Sequence, residues 1–216
     1  MNAALLLALL AAADGGAPDA AASDAAGEGA PAACVGSSLD LDTIFAGKAC
    51  DVPGVPQPAP APAALAVELA PKRLSVTAGK TARVTVSFRN LTDAPLPLDL
   101  DMSCGLEAVF ETALYRGARR ADLPQDCGIG RACGRRTVRV TLAPRGVARV
   151  HVPVSATAAV IDETCMPKGR KPIAPGGYDL VVSLPLEDRV ADSNGVQIRT
   201  ARGRLTVVGL ARLPGP

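Results

Sequence analysis

The chain has no tryptophan, two tyrosines, three phenylalanines and one histidine among 216 residues. With so few aromatics, none interleaved with basic side chains, it lacks the stacking platforms that hold single-stranded nucleic acid. The only imidazole, His151, falls on the outward face of a valine-alternating segment, and neither a Gly-x-Ser-x-Gly elbow nor a cysteine-nucleophile context accompanies it. Asp99 and Asp101, like Asp40 and Asp42, repeat a carboxylate at every second position without the further oxygen ligands of a Ca²⁺ loop. No cofactor is indicated, and the residues read as those of a non-enzyme. The apolar run Ala3 to Ala13 is too short to span a bilayer, so no transmembrane segment is expected in the mature chain.

What is present is an even number of cysteines behind that apolar run. Met1-Asn2 followed by a stretch of Ala and Leu has the length of a signal-peptide core, and cleavage after Ala13 fits the small-residue rule, although no Lys or Arg precedes it. Residues 1–13 are therefore expected to be a signal peptide and the protein to be exported, periplasmic or extracellular. In that setting six cysteines imply disulfides. Cys34 follows Ala32 and Ala33 as an acylated lipoprotein cysteine would, but Pro31 and the long separation from the apolar core argue against a lipid anchor.

Composition divides the remainder. Residues 14–33 are Ala/Gly/Asp/Pro-rich, with too little apolar surface to offset the entropy of ordering, and are expected to be disordered. Residues 34–50 form a cysteine-bounded loop, residues 51–64 a Pro-rich linker, residues 65–210 the globular part, and residues 211–216 a tail. Charge divides at the same place, with a net −6 over residues 14–64 and +8 from residue 65 onward. Eighteen of the twenty-three basic residues are arginine.

In the globular part apolar side chains alternate with polar ones at Val84-Val86-Phe88, Leu65-Val67-Leu69, Leu96-Leu98-Leu100, Val138-Val140-Leu142, Val150-Val152-Val154, Tyr178-Leu180-Val182-Leu184 and Leu205-Val207, more weakly at Phe110–Leu114 and Val196-Ile198. A period of two marks half-buried strands, and no helical period competes. Turn residues separate the runs at Ala78-Gly79, Asn90 to Pro95, Pro144-Arg145-Gly146, Pro175-Gly176-Gly177 and Asn194-Gly195. The expectation is an all-β, antiparallel β-sandwich of about seven to nine strands in two sheets, with disulfide-bearing loops.

Several segments carry a resemblance to a known family. TARVTVSFRNLTDAPLPLDL, a strand ending in Arg116-Gly117, TLAPRGVARVHVPV and IAPGGYDLVVSLPL, in that order, resemble the immunoglobulin-like domain of the BsuPI intracellular proteinase inhibitors over roughly residues 74–186. The matching parts are Asn90-Leu91-Thr92-Asp93 at a strand end, Pro144-Arg145-Gly146 between a later strand pair, and Gly177-Tyr178 opening a near-final strand. The resemblance implies an immunoglobulin-like sandwich and protease inhibition. This chain departs from the family in lacking tryptophan and in adding cysteines and a leader.

Six cysteines allow fifteen pairings. Cys34 with Cys50 is the most economical; Cys127 with Cys133 and Cys104 with Cys165 complete the favoured set, all four of the latter in loops. A zinc site does not fit the spacing of Cys127 and Cys133. Between Arg116 and Arg136 lies the strongest local charge: Arg116, Arg119, Arg120, Arg131, Arg135 and Arg136 against Asp122 and Asp126. Held together, these guanidinium groups could grip carboxylates or phosphates bidentately; alternatively they form a solvated loop, or one neutralised by the acidic leader. The expected function is an exported, non-catalytic binding or structural module of the cell envelope that recognises an anionic polymer or a protein, with no nucleic-acid partner. The alternative is a secreted protease inhibitor in which the ring CGIGRAC offers Arg131 to a trypsin-like enzyme.

Overall fold

The structure, a computed structural model, describes residues 31–53, 59–102, 110–123, 136–162, 166–187 and 196–209. These form β1 (Val35–Asp40), α1 (Leu41–Ala46), β2 (Asp51–Val52), β3 (Leu65–Ala70), β4 (Arg73–Thr77), β5 (Thr81–Asn90), β6 (Leu96–Asp101), β7 (Glu111–Arg116), β8 (Arg119–Arg120), β9 (Thr137–Ser155), β10 (Thr157–Ile161), β11 (Pro167–Pro172), β12 (Gly176–Glu187) and β13 (Val196–Val208). The protein is all-β in class. Thirteen strands among the described residues exceed the expected seven to nine, because short or weakly alternating segments such as β1, β2, β4 and β8 also pair.

One sheet is ordered β1-β9-β5-β3, with β2 and β6 also bonded to β9; a second is ordered β4-β13-β12-β7-β8; β10 and β11 form a separate ribbon. The sheets are mixed rather than purely antiparallel, since β1 runs parallel to β9 and β4 parallel to β13. The alternation read from sequence holds: Val84, Val86 and Phe88 on β5, Val150, Val152 and Val154 on β9, and Leu180, Val182 and Leu184 on β12 are all buried. They belong to one continuous core shared by both main sheets. At roughly 1.5–3 kcal/mol for each large apolar side chain removed from water, this shared core is the main favourable contribution to the fold.

Two expectations change. Pro144-Arg145-Gly146 is not a turn between two strands. Parallel pairing with β1 continues on both sides of it, Gly36 opposite Leu142 and Ser38 opposite Val147, so the segment bulges out of one long strand without reversing direction. Arg145 takes a φ of 58° there. A Cβ on Gly146 would lie 2.9 Å from the Ala143 carbonyl oxygen, which explains the glycine. Opposite the bulge, β5 and β6 pair in succession with the two halves of β9, and residues 91–95 bridge them.

The cysteine-bounded segment is likewise more than a loop. β1 adds to the edge of β9, α1 follows, and β2 pairs with the start of β9. Leu39, Leu41, Ile44 and Phe45 enter the core. All three phenylalanines of the chain meet there: the Phe110 ring centroid lies 5.7 Å from that of Phe88 and 6.5 Å from that of Phe45. The predominantly small, polar sequence of β1, VGSSLD, hides its strand character because only Leu39 points inward to a buried site. Six residues are too few for α1 to show a helical period in the sequence.

Candidate functional site

Three of the six site arginines sit on the β7–β8 hairpin, where Arg116 is opposite Arg119 and Tyr115 opposite Arg120. Gly117, at φ 62°, supplies the left-handed residue of the tight turn. Arg116 folds back over the sheet: its guanidinium lies 4.8 Å from the centroid of the Tyr178 ring and donates to the Pro175 carbonyl at 2.9 Å. A side chain at Gly176 would collide with the Arg116 guanidinium, so the glycine makes room for this arrangement. Arg119 is exposed at the turn.

Arg120 is held by two carboxylates, Glu111 at 2.7 Å and Asp122 at 3.2 Å. Desolvation alone would lower its pKa, but hydrogen bonds and charge from Asp122 and Glu111 outweigh that and raise it. Asp122 also accepts from the Leu114 N–H at 3.0 Å. Its carboxylate thereby ties the guanidinium to the backbone of β7.

Arg136 lies on the other sheet, at the entrance to β9. Its Nε donates to both carboxylate oxygens of Asp51 at 3.1 Å, and its Nη2 donates to the carbonyls of Phe45 and Gly47. Those are carbonyls left open at the end of α1, so a side chain about ninety positions away in sequence caps the helix. Thus Arg116, Arg119 and Arg120 come together on one hairpin, whereas Arg136 is engaged in anchoring α1. Arg131 and Arg135 lie outside the described residues.

Of the cysteines, Cys34 and Cys50 are disulfide-bonded as the spacing favoured, with Cα atoms 5.7 Å apart. Both are buried, at 1% and 4% exposure. Cys104, Cys127, Cys133 and Cys165 lie outside the described residues, as do Asp126 and the CGIGRAC ring.

The carboxylates noted in the sequence have partners that spacing alone did not reveal. Asp99 and Arg139, opposite each other on β6 and β9, form a bidentate pair with both contacts at 2.7 Å. The hydrogen bonds that Arg139 donates to Asp99 outweigh desolvation and raise the Arg139 pKa. Asp40 caps α1, accepting from the Asp42 N–H at 3.0 Å and the Thr43 hydroxyl at 2.8 Å. The Thr43 hydrogen bond is the main reason its pKa is lowered.

Asp42 takes over where β1 leaves the sheet. It accepts the His151 N–H at 3.1 Å and contacts the imidazole Nδ1. His151 is indeed outward-facing and exposed. A local signal existed only for the cap, in Asp40 followed three residues later by Thr43; the contact of Asp42 with His151 joins residues far apart in sequence. Among the described residues no group of three or more His, Cys, Asp and Glu side chains is placed to hold a metal ion, and no helix is long and apolar enough to cross a membrane.

Neither known protein families nor curated proteins match this sequence. Alignments with solved structures are weak. The β-glucosidase of Listeria innocua in complex with glucose aligns at 12% identity and TM-score 0.28 over 68% of this chain and 16% of that one. The β-glucosidase EmGH1 of Erythrobacter marinus aligns at 16% identity and TM-score 0.32 over 66% of this chain and 15% of its own. AvmM, which catalyses macrocyclization in alchivemycin A biosynthesis, aligns at 12% identity and TM-score 0.29 over 70% of this chain and 93% of its own. The chain therefore spans no more than 16% of the length of either β-glucosidase. At these TM-scores the likenesses carry no argument about function.

Proposed function

We propose that the chain is an exported, non-catalytic binding or structural module of the cell envelope, built on an immunoglobulin-like sandwich of the BsuPI type and recognising anionic ligands through arginines. The observation that carries this reading is the Cys34–Cys50 disulfide, set inside the core instead of on the surface. A disulfide on which packing depends belongs to an oxidising compartment. The immunoglobulin-like assignment draws support from two β-sheets that share one continuous core. Anion recognition draws support from the exposed Arg119 and from the basic excess of the residues after 64.

The test is expression of the full sequence in a bacterium, followed by fractionation, intact mass, thiol labelling and pull-down from envelope extract. The expected product lacks the leader, has no alkylatable thiol, and retains an anionic envelope polymer whose binding weakens with salt. A cytosolic protein with Met1 and six alkylatable cysteines would overturn the export reading. Stoichiometric capture of an inactivated protease would replace the binding-module reading with protease inhibition.

A further inference from the structure

The outer face of the five-stranded sheet carries arginines in an arrangement that a sheet selected only for stability avoids. In register across it, Arg73 of β4 lies opposite Arg204 of β13, Arg204 opposite Asp179 of β12, Asp179 opposite Tyr115 of β7, and Tyr115 opposite Arg120 of β8. Arg202 stands two residues before Arg204 and shares its face. The neighbours of opposite parity, Val76, Leu180, Leu205 and Val207, are buried in the core, so this row faces outward. Strand spacing of about 4.8 Å and a same-face repeat of about 6.6 Å along a strand place the three arginines around a single small patch.

Like charges directly opposite on neighbouring strands are unfavourable. The side chains of Arg73 and Arg202 are exposed and make no hydrogen bond or ion pair with any described residue. Arg204 has only Asp179, at 3.6 Å, and with side-chain exposures of 78% and 54% that pair is weak. An anion laid across the row would relieve the repulsion and gain bidentate contacts. The face is a regular sheet with Tyr115 in line, and Tyr offers an apolar ring with a polar tip. Single-stranded nucleic acid would call for several aromatics along its track, and this row has one.

We propose that this face binds a linear acidic polysaccharide, with Arg73, Arg202 and Arg204 holding its carboxylates. The proposal rests on the reading of the chain as a binding module for anionic polymers, and adds to the hairpin turn a second surface on the outer face of the sheet. Asp179 competes with the ligand for Arg204, so it moderates affinity.

The experiment is binding of the full chain to polygalacturonate, with neutral dextran and oligothymidylate as controls, at low and high salt. Expected results are binding to polygalacturonate, none to dextran, and weakening by about tenfold in R73S/R202S/R204S at low salt, a loss that shrinks as salt screens the charges. D179N strengthens binding about twofold. Melting temperatures of both variants stay near that of the parent, because the residues are exposed. Polygalacturonate binding that survives the triple substitution but is lost in R119S overturns the sheet proposal while leaving the anion-binding reading standing. Binding to no polyanion overturns both, and equal or tighter binding of oligothymidylate through the same arginines overturns the polysaccharide assignment.

Discussion

Replacing Asn90 should destabilise the fold more than its single amide suggests. Asn90 is fully buried and sits where the β9 bulge faces residues 91–95. Its amide donates to the carbonyls of Ala94 at 2.8 Å, Ala143 at 3.0 Å and Leu142 at 3.3 Å. Its oxygen accepts from the Thr92 N–H at 2.9 Å and the Thr92 hydroxyl at 2.8 Å. Two N–H groups serve three carbonyls, so the longest contact is shared, and the single Thr92 hydroxyl proton also faces the Ala94 carbonyl at 2.9 Å, leaving about three to four bonds' worth of interaction. At about 1 kcal/mol net each, N90A should cost about 3–4 kcal/mol, a large share of the roughly 5–15 kcal/mol available to a domain.

The assay is urea denaturation at neutral pH with the disulfide intact. N90A should lower the midpoint without a large change in slope, and the same loss corresponds to roughly 6–16 °C in melting temperature. N90D is the sharper variant, because it keeps the acceptor for Thr92 but sets a carboxylate oxygen against carbonyl oxygens. It should be at least as unstable as N90A at neutral pH. Stability should return on acidification, since burial beside acceptors raises the carboxyl pKa and protonation restores one donor. A loss below about 1 kcal/mol in N90A, or an N90D variant as stable as the parent at neutral pH, would refute the assignment of Asn90 as the residue that joins bulge and bridge.

Further outcomes follow from the anchored N-terminal unit. Removing the disulfide by C34S/C50S should cost on the order of 3 kcal/mol in the chain-entropy account of a loop of this size, measured by denaturation with and without reductant; an unchanged midpoint would place the anchorage elsewhere. R136A should cost about 2 kcal/mol, and R136K should recover only part of it, because an ammonium cannot reproduce the fork that spans Asp51, Phe45 and Gly47. For Asp40, whose pKa is depressed in the fold, the stabilisation is present above the unfolded carboxylate value of about 3.9 and is lost as pH falls through the folded value. Acid titration of D40N, which keeps the cap without the charge, should therefore lack the part of the parent's acid-induced loss that Asp40 contributes.

The strands were legible in the sequence because the core demands a period of two, and Val84, Val86 and Phe88 announce it without any partner in view. What the sequence concealed are features created by chain segments meeting at long range. Pro144-Arg145-Gly146 has the composition of a turn, and its local chemistry is that of one; only the continued pairing of β1 with both flanks makes it a bulge. VGSSLD has one inward apolar position, so its place in the sheet is decided by the disulfide behind it and by the docking of Phe45 ahead of it.

The arginines divide by the same logic. Charge density along the chain from Arg116 to Arg136 suggests one cationic loop, but the guanidinium groups of Arg116, Arg120 and Arg136 are governed by whatever the fold brings against them. For Arg136 this is Asp51 and two helix-end carbonyls, for Arg120 Glu111 and Asp122, and for Arg116 the Tyr178 ring. Conversely, Arg73 and Arg204, separated by most of the globular sequence, become neighbours through parallel pairing of β4 with β13. A run of charge in sequence therefore marks a loop rich in potential partners. A row of charge across strands marks a surface on which the protein itself supplies too few, and it is there that an outside anion has the most to contribute.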